Sequence, residues 1–298
     1  MAFDPSQSEF ERNAIQINTF VRILEDSFFT SVSVVGIVEI GSFAKGEAIP
    51  TSDSDTRVYI RCPEATFINL VSDPDGPAGL TEYLSSEGGP EPILLHWSTF
   101  NAPVRIRLRE EIEGNISFGI IDASLADFLF NHLEQFPTQD HSMLFQSNLI
   151  YDPHQWISMW REQLGGQVFQ SQANLYIEQA LARARDGLPW YLANPSNPRG
   201  PQQWLLQAVR CIREAVSAQS YAQTGHFIFR KDAVLERLQQ LSPSDVSLVK
   251  TLYEWKCDQS IRQEIIRAFA DGEDTWQDRF GMLTPKIQAL VEQIVSQA

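Results

Sequence analysis

The chain reads as two domains in tandem: a mixed α/β domain over residues 1–162 and an all-helical bundle over 163–298. Three observations predict this. Strand-like runs of β-branched residues, separated by helical and turn-rich pieces, fill the first half. After Gly165-Gly166 they give way to apolar residues at helical spacing. A length of 298 residues exceeds what most single cores hold, and 43% hydrophobic residues can fill two.

In order, SEFERNAIQINTFVRILEDS, residues 8–27, places its apolar residues largely on one face and predicts an amphipathic helix. SVSVVGIVEI, 31–40, is nearly all apolar and predicts a strand buried on both faces. TRVYIR, 56–61, is a second strand, and 72–92, rich in Gly, Pro and Asp, is a connection. RIRLREEIEGNISFGIID, 105–122, predicts a hairpin turning near Glu113-Gly114-Asn115. ASLADFLFNHLEQF continues as a helix capped at or near Ser124, and QSNLIYDP is a last short strand stopped by Pro153. In the second half, helices are expected over 167–192, 202–223, 231–241, 244–257 and 274–295, the last broken or kinked near Pro285. Trp156, Trp160, Trp190, Tyr191, Tyr253, Trp255 and Trp276 are expected to build the bundle core.

A formal charge of −15 repels phosphate backbones, so nucleic acid is not expected as a partner and a cationic small molecule is favoured. No stretch reaches membrane-spanning length, and the N-terminus lacks the basic start and apolar run of a signal peptide. Cys62, Cys211 and Cys257 form no paired spacing, which points to a reducing cytoplasm. No hydrolase-elbow, zinc-protease or Walker pattern is present.

The chemistry concentrates in IGSFAKGEAIPTSDSDTRVYI, residues 40–60. Asp53 and Asp55, two apart on a strand, project to one face, and so close a pair of carboxylates requires a cation. Oxygen ligands suit Mg²⁺, which takes its remaining ligands from water and phosphate. Gly41-Ser42 lets backbone amides approach a phosphate, and the Ser hydroxyl adds a donor. Lys45, between the two, is placed for a further phosphate contact. Together they describe a site for a metal-bound nucleoside triphosphate.

This order of features, a strand, Gly41-Ser42-x-x-x-Gly46, then Ser52-Asp53-Ser54-Asp55 and an apolar strand, resembles the signature of the polymerase-beta-like nucleotidyltransferases, in particular the small bacterial aminoglycoside adenylyltransferases. The resemblance implies Gly41 and Ser42 on the triphosphate and Asp53 and Asp55 on Mg²⁺. It implies transfer of AMP from ATP, or of another NMP, to a hydroxyl of a small molecule. Further on, AVRCIREAVSAQSYAQTGHFIFRKDAVLERLQQL is similar to a helix, Thr-Gly turn and Lys-Asp helix start in the streptomycin/spectinomycin enzymes, where an arginine and the lysine reach the nucleotide phosphates. Lys231 matches the lysine; for the arginine, Arg213 is preferred over Arg210 by spacing.

The same family usually supplies a third carboxylate from the neighbouring strand, here ISFGII, which contains no acid. Ser117 stands at the aligned position, Glu113 lies before the strand, and Asp122 at its end is the candidate catalytic acid. Glu178 and Glu214 of the helical half are alternatives. Without a third acid the reading shifts to a nucleotide-binding protein with weakened turnover. An enzyme that nucleotidylates another protein is the third reading; the oligomeric state is not legible. Thr56-Arg57 also depart from the aliphatic residues of many relatives.

Overall fold

In a computed structural model, the described residues are Val21, Glu25, 33–48, 54–61, 94–96, 103–107, 115–193, 200–270 and 275–298. The expected N-terminal helix over 8–27 and the connection 72–92 lie outside them, apart from Val21 and Glu25. The chain divides into two compact units, one of residues 1–132 and 139–164, the other of 133–138 and 165–298.

The first unit is a mixed sheet. β1 (Ser33–Ile40) has six consecutive buried residues because it lies between neighbours and is covered on both faces. β2 (Ser54–Arg61) pairs with it antiparallel, with Ile40 opposite Asp55 and Glu39 opposite Thr56. β3 (Leu94–His96), β4 (Pro103–Arg107) and β5 (Asn115–Asp122) complete one side, and β6 (Asn148–Tyr151) pairs antiparallel with β1 on the other. The order is β3-β4-β5-β2-β1-β6, with β2 and β5 parallel. The hairpin read from 105–122 is β4–β5, antiparallel as expected.

Helices follow the strands directly. α1 (Gly41–Ala44) is the single turn after β1. α2 (Ala123–Asn131) begins one residue before Ser124, which therefore lies in its first turn and does not precede it. α3 (Gln139–Phe145) and α4 (Trp156–Leu164) were not anticipated. α4 starts where Asp152 accepts hydrogen bonds from the Ile157 and Ser158 amides, at 3.2 and 2.9 Å. Trp160 of α4 is fully buried; its Nε1 donates to Asp127 at 3.0 Å, and its ring meets Tyr59 and Phe130. This tryptophan and Trp156 therefore serve the sheet unit, a correction to their expected place in the bundle.

The second unit is all helical. α5 (Gln170–Ala182) runs through a π-helical turn (Arg183–Gly187) into α6 (Leu188–Ala193). Its N-terminus is capped from far away in sequence, by Glu134 accepting from the Gln170 and Ser171 amides at 2.9 and 3.2 Å. These bonds hold the Glu134 carboxyl below the usual range. The buried Gln172 clasps both backbone groups of Thr138, at 2.8 and 2.9 Å, so 133–138 is tied to the helices.

α7 (Gly200–Thr224) is the long central helix, packed by α8 (Lys231–Leu241), α9 (Val246–Cys257), α10 (Gln259–Ala270) and α11 (Thr275–Val295). A 3₁₀ turn, Pro243–Asp245, links α8 to α9. α10 was not anticipated; Asp258 caps it through the Ser260 and Ile261 amides. Pro285 lies inside α11, which is one helix and not two. One residue before it, Thr284 donates to the Phe280 carbonyl at 2.8 Å and accepts from Trp204 Nε1 at 3.2 Å. Trp204 and Phe280 stack at 4.1 Å in the middle of the core. Trp190, expected in that core, is 53% exposed.

Candidate active site

The site is built at the end of the β1–β2 pair. β1 ends at Ile40, and Gly41 turns the chain with φ +79°, a conformation costly for any residue with a Cβ. A Cβ there would also lie 2.6 Å from Oδ2 and 3.2 Å from Cβ of Asp55. Glycine is thus required twice, for its dihedral and because the Asp55 carboxylate rests against its backbone. The turn closes by hydrogen bonds from the Gly46 amide to the Phe43 carbonyl (3.1 Å) and from the Glu47 amide to the Ser42 carbonyl (2.9 Å). Phe43 and Ala44 point into the core and anchor it. Ser42 and Lys45 are half-buried, and Lys45 ends the short helix.

Asp55 is half-buried at the start of β2, and Asp53 lies outside the described residues. Among the described residues no group of three or more His, Cys, Asp or Glu is arranged to hold a metal ion. What is present fits a hard divalent cation in kind, an oxygen donor that leaves most of the coordination sphere to water and ligand phosphate.

The register places the residues considered for a third acid. Opposite Asp55 on β5 stands Ser117, and opposite Ser117 on β4 stands Arg105. Asp122 pairs with Ile60, five positions along β2 from Asp55. At about 3.3 Å per residue that separates the two backbones by about 16 Å, beyond the span of a shared metal ion. Glu113 lies outside the described residues.

Arg57 follows Asp55 on the same face of β2. Its Nη2 lies 3.6 Å from Met143 Sδ of α3. It also faces an acid, Asp140. Burial pushes the Asp140 carboxyl up, and the Arg57 charge partly offsets this. The hydroxyl of Tyr59, next on that face, is pushed up by burial and by Asp140. The sequence flagged Arg57 as a departure; its neighbours came from a helix it had not predicted.

The other candidates belong to the helical unit. Lys231 opens α8, half-buried, with Nζ 5.7 Å from the ring centre of Tyr253. Arg213 is only 6% exposed within α7. Arg210 is paired with Glu214 at 2.7 Å, and Glu214 also holds Arg183 at 2.6 Å, so that carboxylate is already committed to two cations. Glu178 is exposed on α5. The structure brings Gly41, Ser42 and Asp55 together in one unit; Lys231 and Arg213 lie in the other. No helix among the described residues is long and apolar enough to cross a membrane.

No family model matches the chain, and no curated protein matches it. Among solved structures it is similar to spectinomycin adenyltransferase AAD(9) from Enterococcus faecialis, solved with ATP and spectinomycin. The likeness has a TM-score of 0.46 and 14% identity and covers 93% of this chain and 98% of that one. It is similar to a nucleotidyltransferase-like protein from Exiguobacterium sibiricum 255-15, with TM-score 0.32, 9% identity, and 93% and 75% of the two chains covered. A third likeness is to Cid1 in complex with the UTP analogue UMPNPP, with TM-score 0.27, 13% identity, and 67% and 45% covered. At these scores, what the site does rests on its own residues.

Proposed function

We propose that the end of the sheet at Gly41, Ser42 and Asp55 is a nucleoside triphosphate site, and that the chain transfers a nucleoside monophosphate, AMP from ATP, to a hydroxyl of a small cationic molecule. The observation that carries this is the Asp55 carboxylate seated against the positive-φ Gly41. The signature requires that juxtaposition, and separate structural roles for a turn glycine and a strand aspartate do not.

In this reading the acceptor oxygen attacks the α-phosphorus, the bond to the bridging oxygen breaks, and pyrophosphate leaves. Gly41, Ser42 and Lys45 seat the phosphates. Asp55, with Asp53, holds Mg²⁺, which when bound supplies charge neutralisation and orients the triphosphate. The acceptor's proton goes to a carboxylate. Asp122, about 16 Å along the strands, is too far from this centre, so Glu113 is the candidate. The net charge of −15 favours a cationic acceptor.

A second reading, nucleotide binding with weakened turnover, draws its support from Ser117 at the place beside Asp55. Calorimetric titration of each ribonucleoside triphosphate, with and without Mg²⁺, into the wild type and Asp55→Asn tests both. Metal-dependent binding lost in the variant is expected, with pyrophosphate release on addition of an acceptor. Binding without release for any acceptor selects the second reading, labelling of a protein would select protein nucleotidylation, and no binding ends the assignment.

A further inference from the structure

A groove of about 340 Å³ opens in the helical unit between the C-terminal half of α7 and α8. Its lining includes Ser220, Thr224, Ile228, Glu236, Arg237 and Gln240. At its centre Arg237 is held by three glutamines. Nε and Nη2 donate to Gln219 Oε1 at 3.2 and 3.1 Å, Nη2 to Gln223 Oε1 at 2.9 Å, and Nη1 to Gln240 Oε1 at 2.8 Å.

All three acceptors are neutral, so the guanidinium is fixed in place with its charge uncompensated by any of them. The fixing has a cost. Gln219 is fully buried, and because its oxygen must face the arginine its Nε2 is left buried with no hydrogen-bond partner. A buried amide donor left without an acceptor is destabilising. The amide of Gln223 is oriented from both ends, its Nε2 donating to the Gln297 carbonyl at 2.8 Å. A carboxylate in place of any of these glutamines would hold the arginine as well and neutralise it. The arrangement holds the cation and leaves its charge for something else.

We propose that this groove binds a small oxyanion, a carboxylate or phosphate group on a small organic molecule. Arg237 receives the anion through the donor its glutamines leave over. The buried Ser220 hydroxyl supplies a second contact, and Ile228 packs on the ligand's body. Glu236, exposed on the groove's rim, favours ligands that carry a hydroxyl or ammonium beside the anion.

The test is titration of inorganic phosphate and, separately, malate into the full chain, followed by amide NMR shifts of α7 and α8. Saturable shifts with one of the two are expected in the wild type and in Asp55→Asn, which separates this groove from the nucleotide site; the stronger ligand identifies the anion. Gln223→Glu, at an exposed position, keeps the contact to Arg237 and neutralises the arginine while giving up only the bond to the Gln297 carbonyl near the C-terminus, so the fold should be retained and affinity fall at least tenfold. Arg237→Met should abolish binding, and Ser220→Ala should weaken it severalfold in a folded chain. The proposal is overturned if neither anion shifts these helices in the wild type, or if Gln223→Glu binds as the wild type does.

Discussion

Gly41 and Gly225 use the same backbone device in the two units. Each follows an ordered element, has a φ near +70 to +80°, and lies so close to another group that a Cβ would collide with it. Gly225 ends α7: its amide bonds the Tyr221 carbonyl at 2.8 Å, and a Cβ would lie 2.4 Å from the Gly166 carbonyl carbon. Gly41 meets the end of an aspartate side chain. What the glycine touches, and not the glycine, separates a structural close approach from a site. Backbone cannot yield, so the first contact fixes stability; a carboxylate can rotate away, so the second bears, in the proposed function, on nucleotide binding.

The largest effect that can break this comparison is Gly225→Ala. Left-handed strain of about 1–2 kcal/mol, added to a collision with backbone, should destabilise the helical unit by about 3 kcal/mol or more, read from urea unfolding. It should leave the sheet unit's amide exchange unchanged. A loss under 1 kcal/mol would mean that the two turns part easily and the contrast fails.

Next is Asp55→Asn, which should reduce Mg²⁺-dependent nucleotide affinity roughly 100-fold, as loss of a direct ligand exceeds loss of its supporting contacts. Stability should change little, because Asp55 is half-buried at a strand end. Gly41→Ala lies between the two. Strain should cost about 1–2 kcal/mol, while displacement of Asp55 should lower nucleotide affinity about 10-fold or more. An alanine variant that binds as the wild type does would detach Gly41 from the site. Ser117→Asp sharpens the same comparison from the other side. If the vacant acid position limits turnover, pyrophosphate release should rise roughly 10-fold or more; an unchanged rate would place the base elsewhere.

The legible parts of this molecule are those in which one short stretch specifies its own geometry. β1, β2, the β4–β5 hairpin, the Gly41 turn and the Lys231 helix start were readable because alternation, glycine and capping act over a few residues. α4 was not, since Asp152 caps it across a β-end turn, and for the expected helix α5 the hidden part was its cap, which comes from Glu134, 36 residues away. The resemblance already put Ser117 at the aligned place on the neighbouring strand; the parallel register of β2 with β5 sets Ser117 opposite Asp55 and Asp122 opposite Ile60. The glutamine clasp on Arg237 depends on α7 meeting α8, which no local pattern encodes.

A last effect, absent at neutral pH and growing only on acidification, concerns a group that neither glycine touches and that reports on the sheet unit alone. His141 of α3 is fully buried against Phe145, and burial lowers its pKa from the usual 6.5 to about 3. The folded state keeps the ring neutral, whereas the unfolded chain takes up a proton below about 6.5. Between those values the unfolded state therefore binds more protons. This contribution to stability is complete above pH 6.5 and declines as pH falls toward 3, by up to about 1.4 kcal/mol per pH unit. Asp140, whose folded pKa is raised, works in the opposite direction at the acid end, so the His141 part is the difference between the wild type and His141→Phe. That difference, followed by hydrogen exchange of the β1 amides from pH 7 to 4, should grow steadily on acidification. A constant difference would mean that the ring is already charged in the folded sheet unit, and that the space around it is wetter than its burial indicates.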